Sequence, residues 1–506
     1  MTPQAVRASL AALLAIVLVA PARATWSIVV LNRDTGELAV ATSTCIPSSD
    51  ISSAVPVLRV DYAAGAAQSV VLQSAENRLR IYENSVRGAT PQQLLDLIES
   101  VDPAFEQRQF GIVAFAGPPV THTGANNGNA ATGVTGQVGP YDYAIQGNVL
   151  SGDNVVFECE AAFLAEPGDL GQKLVAAMEA ARDAGGDGRC SCSNSSPTGC
   201  GSPPPSFVRA SYNVFMAIAR PGDSDVGCGP AFQGCASGDY YLRLNFAGSL
   251  FTVEPIEWLR YAYTGWRNGQ IGRADHVLTE VAPSVPLLQA DGATTSRVTV
   301  RLRDVDGNPL AMGGQSLSVV RTAGQAIATI GSAVDNGDGT HTFDLVATQA
   351  TGDATYTITV DDGIRPVQLH PPLDVSSVAP SELHVGRATF SADESPALPL
   401  IVDRGATDAG ESYRILGSFA GTAPGTAVGG VLVPLNRDRF FEFTLGWGAV
   451  EPFTDSAGTL DADGRAEARF EPRPGALAAF AGSTLSFSAL IGGTDATDPA
   501  SVLIVP

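Results

Sequence analysis

Apolar and polar positions follow two different rhythms along this chain. In "TWSIVVLNRDTGELAVATSTC" the consecutive apolar residues Ile28 to Leu31 are followed by "RDTGE" and then by a second apolar run. That pattern predicts a hairpin whose strands are covered on both faces, with "RDTGE" as its turn. Helical spacing follows in "TPQQLLDLIES", where Thr90 is the N-cap, Pro91 the first helical residue and Gln93 completes a capping box. "GDNVVFECEAAF" and "DLGQKLVAAMEAARDAG" predict further helices. Between strands and helices, the Gly-rich "GANNGNAATGVTGQVG" predicts a flexible loop. After "VAPSVP" at 281–286 the helical rhythm stops, and alternating runs such as "SRVTVRLRD" and "YTITVDD" predict β-sandwich strands. A second Pro-rich break, "HPPLDVSSVAP" at 370–380, divides this part in two. The expected organisation is α+β: a domain over 25–280 that mixes strands and helices, a β-sandwich over 281–376 and a C-terminal β-domain over 377–506.

The segment before the hairpin has a different pattern. Arg7 precedes the apolar run Leu10 to Ala20, and Ala22 and Ala24 form the A-x-A signature, so residues 1–24 are expected to be a cleaved secretory signal peptide. The expected location is periplasmic or extracellular. Seven cysteines suit such an oxidising compartment. The formal net charge of -22 argues against nucleic-acid and anionic-membrane partners, which need clustered cations. Of the 30 basic residues only Lys173 is a lysine, which leaves one candidate for Schiff-base or Ser-Lys chemistry. Its amphipathic surroundings predict a solvated helix face instead.

Cleavage after Ala24 would leave Thr25 as the first residue. An N-terminal threonine unites a hydroxyl nucleophile with an α-amine, of pKa about 7.7–8.0, that can accept its proton. Competing chemistries have weaker support. His122 is the main histidine available for a Ser-His-Asp triad, with His276 beyond it, yet neither accompanies a G-x-S-x-G elbow, and His122 is expected on the surface or in a loop. The cysteines lack paired CxxC spacing, and there is no H-E-x-x-H, so no zinc site is expected. Structural bridges are expected instead. Cys228 and Cys235 in "CGPAFQGC" are the clearest pair, a short loop worth about 2.5 kcal/mol in the chain-entropy model. Cys45 is expected to be the unpaired seventh, and the remaining connectivity is open because six cysteines allow 15 pairings.

The segments "TWSIVVLNRDTGELAVATST", "AAGAAQSVV", "RQFGIVAF", "YAIQGNVLSG" and "AARDAGGDGR", in this order, resemble the domain of unknown function 1028 family over roughly residues 25–246. The resemblance implies a four-layer αββα sandwich like that of N-terminal nucleophile hydrolases, and amide-bond hydrolysis. It places Thr25 at the nucleophile position. Asn148, in "QGNVL", becomes a candidate oxyanion donor, or else the cap of the turn before the next helix. Ser43 closes the second strand near Thr25, as a site residue or as a solvated strand end. Thr44 stands where the family tends to carry a basic residue. Asp187, in "GGDGR", either orients the site or only stabilises a loop, and the loop is the expectation. "VTVRLRDVDGNPLAMGGQSLSV" and "DNGDGTHTFDLVA" resemble bacterial Ig-like repeats of invasin and intimin type, which serve as spacers or adhesive modules. "DVDGN" within them predicts a tight turn rather than a calcium loop, since no glutamate occupies the twelfth position. Two functions follow as expectations. One is a secreted hydrolase of a peptide, amide or cell-wall-type substrate using Thr25, with no cofactor implied. The other is a catalytically silent surface protein that binds or adheres.

Overall fold

In the computed structural model the hairpin forms as the apolar pattern requires: β1 (Thr25–Asn32) pairs antiparallel with β2 (Leu38–Thr44). The structure describes residues 25–506 except 73, 129, 250–251, 380–381, 394–395 and 448–449, so the expected signal peptide lies outside the described residues. Two compact units divide at Gly269/Gln270. The hairpin turn is closed by Asn32 Oδ1, which accepts the N–H of Asp34 at 3.1 Å, and by Gly36 at φ 70°.

The first unit continues with β3 (Pro56–Arg59), β4 (Ala63–Ser69), α1 (Glu76–Ser85), α2 (Pro91–Val101), β5 (Arg108–Ala114), β6 (Val120–Thr123), β7 (Thr132–Val138) and β8 (Tyr141–Asn148). It ends with α3 (Asn154–Ala165), α4 (Leu170–Asp183), the short α5 (Gly188–Ser191), β9 (Asn213–Ala219), β10 (Leu242–Ala247) and α6 (Pro255–Asn268). One sheet has the order β10-β9-β2-β1-β8-β7, the other β3-β4-β5-β6. Alternation assigns each β1 side chain to one of two cores. Trp26, Ile28 and Val30 pack with Phe163, Leu174, Met178 and Leu259 of α3, α4 and α6. Val29 and Leu31 pack toward Leu58, Ala64, Ala66 and Val113 of the other sheet. The far face of that sheet, including Phe110 and Ile112, is covered by Ile81, Leu94, Leu95 and Ile98 of α1 and α2. Each fully buried apolar side chain contributes about 1.5–3 kcal/mol, which is why β1 is the anchor of the unit.

Local signals work as read at α2: Thr90 Oγ1 accepts the Gln93 N–H while Gln93 Oε1 accepts the Thr90 N–H. Two expectations are corrected. The Gly-rich segment expected to be loop contains β7, an edge strand whose backbone is paired with β8 along seven rungs from Thr132 to Val138. Lys173 does not face solvent. It is 9% exposed, its ammonium group donates to the Glu166 carbonyl and sits 5.3 Å from the centre of the Tyr141 ring. Its aliphatic stem is buried while the cation is held by a carbonyl and an aromatic face, and helical periodicity alone does not register that second covering.

The second unit is β-rich. Strands Thr295–Arg301, Thr340–Ala347 and Gly352–Asp361 show alternating burial, and Val298, Val300, Phe343, Leu345, Tyr356 and Ile358 from two sheets share one core. In "DVDGN", Asp304 Oδ1 accepts the N–H groups of Asp306 and Asn308 at 3.0 and 2.9 Å around Gly307 at φ 78°, a tight turn. A further core around Leu400, Phe470, Phe487 and Ile504 joins two more sheets. The expected absence of helices in this region is corrected by a helix over Arg439–Trp447. Asp438 starts it by accepting the Phe441 N–H at 2.7 Å, and Phe441 is fully buried.

Asp102 and Arg108 form a buried ion pair in the first unit, with Nε to Oδ2 at 2.9 Å and further bonds to the carboxylate from Asn77 Nδ2 and the Ala104 N–H. Burial opposes the charge on Asp102, but these donors, led by Arg108, outweigh it and hold the carboxyl below its ordinary range. A depressed acid stabilises the fold above the unfolded-state pKa of about 3.9, and that stabilisation is lost as pH falls through the folded value. Asp102→Ala is expected to cost about 3–5 kcal/mol in denaturant titration at pH 7, and to leave a shallower loss of stability as pH falls below about 4 than in the parent.

Candidate active site

Four strands of the larger sheet bring one rung of polar side chains together at the start of β1. Thr25 is opposite Asn148 of β8 on one side and Thr44 of β2 on the other, and Thr44 is in turn opposite Asn213 of β9. Residues paired in this way share a face, here the face toward the smaller sheet. Thr25 Oγ1 donates to Thr44 Oγ1 at 3.4 Å. Thr25 is 3% exposed and Asn148 is fully buried. Among the described residues neither the Nδ2 nor the Oδ1 atom of Asn148 has a hydrogen-bond partner, although an unmet buried amide costs about 1–3 kcal/mol per group.

Behind this rung the core between the sheets changes from apolar to polar. Ser27 Oγ donates to Gln68 Oε1 at 2.5 Å, and Gln68 Nε2 donates to the Thr25 carbonyl at 3.0 Å and to Gln109 Oε1 at 2.8 Å. Gln109 Nε2 continues to the Gly147 carbonyl at 2.8 Å. Gln68 of β4 and Gln109 of β5 thus reach across from the smaller sheet and hold the backbone on both sides of the Thr25 rung. Gln146 fills the remaining space above Gly111, where a Cβ would stand 2.0 Å from Gln146 Oε1. The side chains that form this rung and network are neutral hydroxyls and amides.

Of the expected site residues, the structure brings Thr25 and Asn148 together and separates Ser43 from both. Ser43 is opposite Trp26, so its side chain is on the helix-facing side, and its hydroxyl donates to the Asn213 carbonyl at 2.6 Å. It is fully buried rather than a solvated strand end. Thr44 takes the place beside Thr25 that Ser43 was expected to hold, a one-residue difference that flips the face. Asp187 is fully buried next to this end of the sheet, with Arg189 forked onto both its oxygens at 3.0 and 2.7 Å and the Cys45 N–H on Oδ2 at 2.8 Å. Burial raises its carboxyl above the ordinary range despite the lowering pull of Arg189 and of the Cys45 amide.

Cys45 is not the unpaired cysteine. It is bonded to Cys190, Cys192 to Cys200 and Cys228 to Cys235, which leaves Cys159, buried in α3, as the free thiol. The pairing of cysteines 145 positions apart depends on tertiary folding and not on local spacing. His122 is on β6 rather than in a loop, half-buried, with its ring stacked 3.9 Å from that of Phe105, and burial pushes its pKa down. His276 is buried in the second unit.

Residues 25–196 match the model of a family of unknown function, DUF1028. Residues 277–371 match the model of domain 3 of invasin. Among solved structures, a Silicibacter pomeroyi protein of the DUF1028 family is 16% identical, with 49% of this chain and 94% of that one covered and a TM-score of 0.36. The Yersinia pseudotuberculosis adhesin InvE is 19% identical, with 45% and 58% covered and a TM-score of 0.18. Invasin, a bacterial integrin-binding protein, is 15% identical, with 58% and 46% covered and a TM-score of 0.17. No curated protein matches the chain.

Two outcomes check the geometry of the DUF1028 region. Gly111→Ala should force Gln146 out of its place and cost about 1–3 kcal/mol in chemical unfolding. Without reductant, the native protein should take up no maleimide; unfolded in guanidinium it should take up one, at Cys159, and after reduction one at each of its seven cysteines, counted by mass spectrometry.

Proposed function

We propose that, once the bond between Ala24 and Thr25 is cut, the DUF1028 region is a hydrolase of amide or peptide bonds with Thr25 as its nucleophile. The observation that carries this reading is the rung itself: the residue that would become the N-terminus opens an interior strand, and a buried amide with no partner among the described residues stands beside it on the next strand. The freed α-amine takes the proton of Thr25 Oγ1, and the oxygen attacks the substrate carbonyl. Asn148 Nδ2 donates to the oxyanion of the tetrahedral adduct, a contribution whose loss typically costs about 10²–10³ in rate. The proton passes to the leaving amine, and water then hydrolyses the threonyl ester, restoring Thr25 and releasing the acid. Helices outside two facing sheets, with polar chemistry between the sheets, support an N-terminal nucleophile hydrolase-like four-layer sandwich. In this reading the domain expected over 25–280 is the hydrolase, its compact unit ending at Gly269, with 281–376 an Ig-like spacer and 377–506 a C-terminal β-domain.

A second reading has its own support. The match of residues 277–371 to an invasin domain, together with three disulfides, fits an extracellular or surface protein, and here the first unit would bind without catalysis. Thr44, neutral where a cation would stand, favours it.

The two readings part at the mature N-terminus. Intact mass of the exported protein should correspond to a chain starting at Thr25 with an unmodified amine. A β-lactone or epoxyketone probe should label Thr25, with a rate that rises as pH passes through about 7–8. Thr25→Ala and a residue retained before Thr25 should both abolish labelling, and Thr25→Ser should keep it. Labelling that survives Thr25→Ala, or a mature chain that starts elsewhere, would leave the surface-binding reading.

A further inference from the structure

Both strands that flank Thr25 are fastened, just beyond the rung, to a single short segment. β2 ends at Thr44, and the next residue, Cys45, gives its N–H to Asp187 Oδ2 and its sulfur to Cys190. β8 ends at Asn148, and Val149 and Ser151 beyond it bond to the same turn, which sets Leu150 opposite Asp187. The Val149 carbonyl accepts the Gly188 N–H at 3.1 Å, and Ser151 donates its N–H to the Gly186 carbonyl at 3.1 Å. Val149 is at φ 52°, a conformation a β-branched residue holds only where its surroundings impose it. β1 itself is touched too: Gly186, at φ 52°, lies where a Cβ would be 2.8 Å from the Trp26 ring, so the segment closes against the residue after Thr25.

Asp187 is the centre of this tie. Besides Cys45 and the Arg189 fork, its carboxylate accepts the Arg189 N–H at 3.1 Å, and its own N–H donates to the Ala210 carbonyl at 3.1 Å. Fully buried and with both oxygens engaged, it has no exposed face from which to exchange protons with a substrate. Strand ends fray unless they are held. A rung at the end of a sheet keeps its geometry only if the flanking strands are tied beyond it.

We infer that Asp187 is a positioning residue for the proposed threonine site, fixing Thr44 directly through Cys45 and Asn148 indirectly, by shaping the turn whose Gly186 and Gly188 hold the backbone at 149–151. The inference rests on the Thr25 reading. Loosening the tie should misplace Oγ1 relative to Asn148, and a displacement of about 1 Å can cost about 10²-fold in rate without changing ground-state affinity.

The test uses the full-length exported protein and four forms: parent, Asp187→Asn, Asp187→Ala and Glu37→Ala. Glu37 pairs with Arg220 at 2.8 Å at the opposite end of the same hairpin, so its loss destabilises without touching the tie. β-Lactone labelling at Thr25 is separated into probe affinity and maximal rate. Amide hydrogen exchange is followed in peptides covering 43–47 and 147–151. Expected are a maximal rate lowered about 10²-fold in Asp187→Ala, a smaller loss in Asp187→Asn, which keeps an acceptor for Cys45, and unchanged probe affinity. Glu37→Ala should lower the melting temperature and leave the rate alone. Equal rates in the parent and both Asp187 variants would overturn the inference, as would an equal slowing by Glu37→Ala. If the parent itself is not labelled, the hydrolase reading falls. The tie is then judged by exchange: faster exchange at both peptides in Asp187→Asn supports it, and unchanged exchange overturns it. Asp187→Asn keeps the shape of the side chain and so carries the test if Asp187→Ala fails to fold.

Discussion

The first unit depends on burying β1 from both faces and along both edges at once. Strands β2 and β8 satisfy its backbone, one core of helices takes its even-numbered side chains and the opposing sheet takes its odd-numbered ones. A strand enclosed in this way has little freedom of register, because a slip of one residue would drive Trp26 into the space between the sheets and Thr25 among the helices. The orientation of the threonine is therefore set by the packing of Ile28, Val29, Val30 and Leu31, some distance from any chemistry.

Much of this was legible in the residues. A four-residue apolar run ahead of a polar turn required two-sided burial, and the Thr90–Gln93 box and the Cys228–Cys235 loop are local events with local signatures. What was not legible depends on distance. Cys45 meets Cys190 because β2 ends beside the turn after α4, a fact of topology. Lys173 is on a helix whose period was plain, but the cover over its cation comes from Tyr141 on another element. Ser43 and Thr44 differ only in parity, and parity follows from the rung on which β1 begins. The helix at Arg439–Trp447 was hidden among alternating runs, though Asp438 ahead of an amphipathic stretch is a start signal that could have been weighed.

The glutamines were the overlooked clue. Gln68, Gln109 and Gln146 each interrupt an otherwise apolar strand, and a polar side chain there must either cost stability or find a partner. Gln68 and Gln109, on the smaller sheet, find theirs in each other and in the backbone of the larger sheet. The same network that joins the sheets fixes the carbonyls around the first rung, so stability and the layout of the candidate site come from one set of bonds. With no ionised side chain in that network, any polarisation of a bound carbonyl would come from amide dipoles, which need no counter-ion and do not reorganise with salt.

Cys159 has a consequence for how such a chain is made. An odd thiol in a protein with three disulfides is an internal attacker, able to start exchange with any bridge it can reach. Here it is on the core-facing side of α3, fully buried, and burial disfavours the attacking thiolate in the folded state. The protection exists only once α3 has docked. Before that moment Cys159 competes with the six pairing sulfurs, most of all for the long-range Cys45–Cys190 bridge, so docking of α3 ahead of oxidation favours the native pairing.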